Sequence, residues 1–558
     1  MRILVPLFPV YNHRLGAGYL AALLRAEGHE AIFADFEHIL RLNDEDLSLR
    51  LQDETEVYGE VWAEQVQFLH RPELLFGALW PQDEAVQRQL SDADRDLLSS
   101  LRPHVETWAE AMAQLRPEVV LLPALVSNLF IVLWASVLFH ERAPQVPRIL
   151  GGRGTIYAEI QELVLRANWA DALLPGEAET TLIPLMDALE CGRPVDSLAT
   201  PGLVRIDSGR LIRIPGPSAP TNLDSLPWPD FSGLPFPGAT LRYYSDTNRD
   251  FHDAVSVGGS RWCARRCAYC YESIYPKNYR LRESESVLGE IDAQRQRFGT
   301  SRLFFCDSTL NVSPPWLAEL AAGMQRLSFK PQVVFAHCEP RRLPRPLLHS
   351  MRAAGFEKVN FGVESLDGRT LARMDRHTSV AETEETLAMA VDAGISLGLN
   401  LVSNYPGETL GEYESTKKRS SRLAERLRNA AAKTGAAVRF MVSQARVDPH
   451  SSLFVNRDRF GVRILPREIE VPDAISALEP HVRRIALCWT DGLPREERRA
   501  RFHLMRSYIE GLSIHGRKAP PAQPYDGRVA LDASEVPAPL AALIPELRAA
   551  SRERERVQ

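Results

Sequence analysis

Cys263, Cys267 and Cys270 are three of the chain's seven cysteines, and they stand together in the run Cys263-Ala-Arg-Arg-Cys267-Ala-Tyr-Cys270. No fourth cysteine follows at ligand spacing. A structural zinc site closes on four ligands, and an iron–sulfur cluster that only carries electrons is usually held by four thiolates. Three thiolates from one short loop can hold three corners of a [4Fe–4S] cluster and leave one iron open to bind and activate a small molecule. The bland alternative is a zinc knuckle completed by Cys306, Cys338 or His252.

The elements around the loop read as alternating strand and helix. Val255-Ser256-Val257 supplies a strand that ends where the cluster loop starts. Arg302–Asp307, Gln332–Ala336, Lys358–Ser365 and Ser396–Val402 are further strands, with Asp307, Asn311, Glu339, Glu364 and Asn404 at or near their exits. This pattern predicts a partial (β/α) barrel whose polar strand ends face one chamber. Cys306 and Cys338, also at strand ends, read as inert buried thiols or chamber-facing groups. Asp448-Pro449-His450 reads as a turn, with His450 as a possible pocket residue.

A second alternation precedes the barrel. Ile3–Leu7, Ala31–Asp35, Glu118–Leu122 and Arg148–Leu150 are apolar strands, and Gly16–Arg25 is a helix stopped at Gly28-His29. Such alternation implies a doubly wound parallel sheet, whose ligands sit beyond the strands' carboxyl ends. Residues 38–115 read as a mostly helical insertion. The uncharged stretch Val119 to Phe139 is long enough to span a bilayer. Its Pro123 and Ser127-Asn128 make it a strand, a loop and a core-facing helix instead.

The C-x3-C-x2-C loop, with Tyr269 before its last cysteine, resembles the cluster loop of the radical S-adenosylmethionine (SAM) enzymes. Phe361-Gly362-Val363-Glu364-Ser365 is similar to that family's F-G-x-E-S stretch. Asn400–Glu408 is similar to its x-G-x-P-G-E-T segment, with Asn404 in place of the usual glycine and expected to narrow the pocket. The N-terminal region resembles the cobalamin-binding domain of the B12-dependent subgroup. Ser127-Asn128-Leu129 matches S-x-L, Gly151-Gly152 the Gly-Gly turn, and Pro175–Thr180 the closing G-E-x-E segment. His13–Gly16 keeps H-x-x-G, but Tyr11 stands where aspartate would orient the histidine. The phrase Pro229-Asp230-Phe231 also recurs in relatives just before the radical domain.

The resemblance covers roughly residues 1–415, and what it implies is specific. Cys263, Cys267 and Cys270 would ligate the cluster. Tyr269, Glu364, Ser365 and Asn400 would lie beside SAM, and Ser127, Leu129, Gly151 and Gly152 beside cobalamin. The family mechanism methylates cobalt with one SAM and cleaves a second to a 5′-deoxyadenosyl radical, which activates an unactivated carbon for methylation. A non-methylating radical reaction is the alternative. A reductant such as flavodoxin or ferredoxin would supply electrons, and the substrate would be a small molecule or a peptide.

The expected fold class is α/β: a doubly wound Rossmann-like domain over 1–200, a linker over 201–250, a partial (β/α)6 barrel over 251–415, and a mainly α region over 416–558. That last region, with helices at Lys417–Lys433, His481–Trp489 and Glu496–Leu512 and a charged tail at 551–556, would share substrate selection with the insertion. Arg261, Arg265, Arg266, Lys277, Arg280 and Arg282 could steady an anionic cluster or a carboxylate, or simply be solvated. A net charge of −6 gives no global basic field of the kind nucleic-acid binders show. Sparse cysteines and the absence of a leader-like start predict a reduced cytoplasm with no membrane contact.

Overall fold

The computed structural model describes residues 1–9, 14–55, 65–66, 68–69, 71–216, 219–234, 254–274 and 279–515. Tyr11, His13, His252, Lys277 and the charged tail lie outside them.

The N-terminal third follows the expected alternation. Its elements are β1 (Arg2–Leu7), α1 (Leu15–Ala26), β2 (Glu30–Asp35), and then the insertion helices α2 (Phe36–Asn43), α3 (Glu45–Thr55), α4 (Pro72–Leu79), α5 (Glu84–Arg88) and α6 (Asp92–Gln114). β3 (Val119–Pro123), α7 (Leu129–Arg142), β4 (Arg148–Gly152), α8 (Ala158–Arg166), β5 (Ala172–Pro175), α9 (Glu179–Glu190), β6 (Val204–Asp207) and β7 (Arg210–Arg213) complete it. The sheet order is β2-β1-β3-β4-β5-β6-β7, parallel from β2 to β5 and antiparallel at β6 and β7. Strand order reverses between β1 and β3, and the crevice outside that point is where ligands of such sheets bind. α7 is apolar on nearly every side, which fits its burial between the sheet and α6. Among the described residues no helix is long and apolar enough to cross a membrane.

The bridge phrase acts as a staple. Phe231 is fully buried and lies where a β-carbon on Gly18 of α1 would be only 2.6 Å from its ring. Asp230 is ion-paired with both Arg25 (2.8 Å) and Arg297 (2.7 Å), and its amide bonds the Gly18 carbonyl. The proline-rich segment thereby ties α1 to the first helix of the next unit.

That unit comprises β8 (Val255–Val257), β9 (Ser260–Arg261), β10 (Arg280–Leu281), α10 (Ser284–Phe298), β11 (Arg302–Phe305), α11 (Pro314–Met324), β12 (Gln332–Phe335), β13 (His337–Cys338), α12 (Arg345–Ala353), β14 (Lys358–Glu364), α13 (Gly368–Arg373), α14 (Val380–Asp392), β15 (Ser396–Ser403), α15 (Leu410–Thr434) and β16 (Val438–Gln444). β8, β11 and β12 form one parallel set, and β13 to β16 another. With β12 and β13 as one strand interrupted at Ala336, this is a six-stranded open barrel. The sixth strand, β16, comes from residues placed in the C-terminal region from sequence, so the barrel runs past residue 415 to about 444.

Beyond it lie α16 (Ser452–Val455), β17 (Arg463–Pro466), α17 (Glu479–Ile485), β18 (Leu487–Thr490) and α18 (Arg495–Glu510). The stretch His481–Trp489, read as one helix, is the end of α17 followed by β18, which pairs antiparallel with β17. Cross-strand pairing, with Ile464 opposite Trp489, outweighs the local helical pattern. This region meets the insertion directly: Val66 bridges Val447, Gln65 bridges Cys488, and Arg467 pairs with Glu73 at 2.7 Å.

Candidate functional site

One cavity of about 610 Å³ lies where the carboxyl ends of both sheets meet. Its first wall is the switch point of the N-terminal sheet. β3 gives way to a loop that Asn128 braces by accepting the Leu125 amide at 2.9 Å, leaving Ser127 facing the cavity. Gly151 and Gly152, at the end of β4, form the adjoining edge. Gly152 has φ +90° and ψ −170°, a region open only to glycine, and a β-carbon there would stand 2.7 Å from the Ala124 carbonyl oxygen.

The second wall is the loop after β8. Asp307, buried at the exit of β11, accepts the Gly259 amide at 3.0 Å and the Ser260 hydroxyl, which fixes the loop's start. Trp262 then takes φ +62° and swings the chain so that Cys263, Cys267 and Cys270 all line the cavity. None of the three is in a disulfide, and Cys263 and Cys267 are buried. Burial pushes the Cys263 thiol up to about 11 and raises Cys270 as well. Thiolates so placed need a positive centre to hold them.

The donor set fits a cluster. Among the described residues no three His, Cys, Asp or Glu side chains converge closely enough to hold a single metal ion. A cubane cluster binds each cysteine to a different iron, and three thiols from one loop lining one cavity can fill three of its corners.

Barrel strand ends form the third wall. Tyr269 hydrogen-bonds Glu364, whose φ of +62° marks the point where β14 slips register against β15. Burial raises the Glu364 carboxyl despite the opposing pull of Arg376. Asn400, on β15, lines the cavity with a buried Oδ1 that has no hydrogen-bond partner among the described residues. Such an atom is costly without a ligand or water to meet it. Cys306, Cys338 and Asp448 line the cavity too.

Four expected residues are not brought to it. The Ser365 hydroxyl bonds Thr416 of α15 at 3.0 Å, because the slip at Glu364 turns the next side chain outward. Leu129 is fully buried in the apolar core at the first turn of α7. Asn404 does not narrow the pocket: its amide donates to the Arg498 carbonyl at 2.9 Å and so binds α18. His450 stacks on Tyr157 and faces Glu159 at 3.6 Å, as a turn residue on the outer surface.

The arginines around the loop are also accounted for differently. Arg261 and Arg280 both pair with Glu177, and Arg261 reaches Glu179 at 2.6 Å. Arg282 is buried against Glu290, and Arg266 is exposed. Glu177 also accepts the Trp262 indole N–H at 2.6 Å, so this carboxylate latches the cysteine loop onto the N-terminal sheet. Burial would raise it, yet Arg261 and Arg280 together hold it below the usual carboxylate range.

Two groups had no signature in the sequence. Arg153, next to the glycine pair, lies between the rings of Trp262 and Tyr271 and pairs with Glu272 at 2.5 Å. Arg376 reaches the Cys267 sulfur. Only contacts across more than a hundred positions identify either one.

Residues 258–419 match the family model of the radical SAM superfamily. The chain is 21% identical to the anaerobic magnesium-protoporphyrin IX monomethyl ester cyclase of Cereibacter sphaeroides over 316 residues, covering 56% of this chain and 50% of that protein. It is 23% identical to the hopanoid C-3 methylase of Methylococcus capsulatus over 329 residues, covering 58% of this chain and 60% of that one. The chain thus spans half to three fifths of these relatives. Its fold is similar to that of TsrM from Kitasatospora setae, a radical SAM methyltransferase solved with cobalamin and a [4Fe–4S] cluster: TM-score 0.58, 16% identity, 99% of each chain covered.

Proposed function

From a chain whose residues 258–419 are a radical SAM domain, we propose a cobalamin-dependent enzyme that methylates an unactivated carbon. The observation that carries this reading is one cavity with the thiols of Cys263, Cys267 and Cys270 on one wall and the Gly151-Gly152 edge of a doubly wound sheet on another. When bound, the cluster with SAM would supply a carbon radical, and cobalamin would supply the methyl group.

The chain's own part is to hold and enclose. Cys263, Cys267 and Cys270 hold the cluster. Tyr269, Glu364 and Asn400 stand beside it as SAM contacts. Ser127, Gly151 and Gly152 leave room for a bulky corrin at the switch point. The insertion and the segment after β16 meet at Val66 and Val447. In domain terms, 1–200 bears the corrin and the barrel over 251–444 the cluster. The 38–115 insertion and the remainder after 444 select a small-molecule or peptide substrate, and a flavodoxin- or ferredoxin-type donor supplies electrons.

A second reading, radical chemistry without methyl transfer, is favoured by Cys306 and Cys338. Their thiols line the cavity and could return a hydrogen atom to a substrate radical. Product analysis separates the two. With deuterated-methyl SAM, reductant and a metabolite extract, methylation yields S-adenosylhomocysteine together with 5′-deoxyadenosine and a labelled product. Deoxyadenosine without S-adenosylhomocysteine would reject methyl transfer.

A further inference from the structure

The cysteine loop is flanked by an unusual charge arrangement. Glu339, buried after β13, collects three guanidinium groups: Arg265 at 2.6 Å, Arg341 at 3.1 Å and Arg376 at 3.6 Å. One carboxylate cannot neutralise three cations, and Glu364 offsets only part of the remainder. Buried surplus charge is expensive unless an anion stands beside it. The group beside it is the set of cysteine sulfurs, which would be anionic once a cluster is bound to them.

The Arg376 guanidinium touches them, whereas Arg265 reaches the Cys263 sulfur through its backbone amide at 3.4 Å. Arg376 is held at two points, with Nη2 donating to the Gly362 carbonyl at 2.5 Å and Nη1 donating to the Cys267 sulfur at 3.5 Å. Its side chain is only 7% exposed, so little water screens it. Its rigid planar fork serves the carbonyl and the sulfur from two separate nitrogens in a fixed plane, where a lysine has only one nitrogen. The sequence from Asp367 to Arg376 makes this placement by capping α13 and then reversing. Asp367 caps the helix, and the Arg376 amide returns to the Leu371 carbonyl at 3.0 Å.

We infer that Arg376 is a positioning residue that sets the reduction potential of the cluster, by an N–H···S bond to Cys267 and a fixed positive charge beside it. Hydrogen bonds to cluster sulfurs and local charge are among the protein's levers on such potentials. Reduction adds one negative charge next to Arg376, so the guanidinium favours the reduced form. The inference rests on the reading that Cys263, Cys267 and Cys270 hold the cluster.

The test is the cluster's midpoint potential, titrated by electron paramagnetic resonance in anaerobically reconstituted protein without SAM. Arg376→Met should lower the equilibrium constant for reduction at least about tenfold, a shift of about 59 mV for one electron. Arg376→Lys, which keeps charge without the fork, should fall between. An unchanged potential in Arg376→Met with its cluster intact would overturn the inference alone. Failure of the wild-type chain to bind any cluster would overturn the underlying reading with it. Wild-type protein labelled with nitrogen-15 arginine gives a measurement independent of how the variants fold. A nitrogen-15 hyperfine coupling to the reduced cluster is expected, and its absence would count against the N–H···S bond.

Discussion

Glu177→Gln is expected to loosen the cysteine loop from the N-terminal sheet without unfolding either unit. Glu177 is 13% exposed and serves Arg261, Arg280 and the Trp262 indole. Removing one partner of a buried ion pair costs about 3–5 kcal/mol. The loss here is smaller, for reasons visible in the contacts. Arg261 keeps Glu179 at 2.6 Å, Arg280 keeps the Pro220 carbonyl, and glutamine's oxygen can still accept one N–H. What remains is the weakening of two charge-assisted bonds, about 2–3 kcal/mol in all. At about 1.36 kcal/mol per decade, local opening becomes about 30- to 150-fold more frequent. Hydrogen exchange followed by mass spectrometry reads this as faster exchange in peptides covering 258–274, with peptides from β1 and β3 unchanged. Exchange within about threefold of wild type would show that the latch carries no load.

Gly152→Ala should sharply weaken retention of hydroxocobalamin, because strain of about 1–3 kcal/mol adds to a 2.7 Å clash with Ala124 at the cavity edge. Gly368→Ala, exposed on α13 with nothing within 4 Å, should bind as wild type, and equilibrium dialysis compares the two. Glu408 is pushed up to about 7, by burial first and by Glu412 beside it. A raised acid holds in the folded state a proton that the unfolded chain has lost. Its contribution therefore falls as pH rises from the ordinary carboxylate range through about 7. Urea midpoints across that window should decline less steeply in Glu408→Gln; an identical slope would contradict the shift.

What was legible in the sequence was whatever repeats locally. Strand–helix alternation exposed both sheets, and the cysteine spacing exposed the loop, because each depends on neighbours along the chain. Register was not legible. The slip between Gly362 and Glu364 sends Glu364 inward and Ser365 towards Thr416, a choice made by pairing with β15 and invisible in the string F-G-V-E-S. Asn404 stands where the resembled segment has glycine and adopts φ +58°, but its side chain is spent on α18, ninety-four residues away. That the strand at Val438–Gln444 belongs to the barrel was hidden by α15, whose length and charge look like the start of a separate helical region. The arginines near the cysteines looked equivalent in sequence. Their different roles come from which buried carboxylate each one meets.

Metal analysis of the chain and of its Cys263→Ala, Cys267→Ala, Cys270→Ala triple variant tests the two-cofactor cavity most directly. Anaerobic reconstitution with iron, sulfide and hydroxocobalamin should give about four irons and about one cobalt per wild-type chain. The triple variant should lose the iron and keep the cobalt, since the two sets of residues sit on different walls. Zinc in place of iron, a cluster that survives in the triple variant, or a wild-type chain that retains no cobalt would contradict the account.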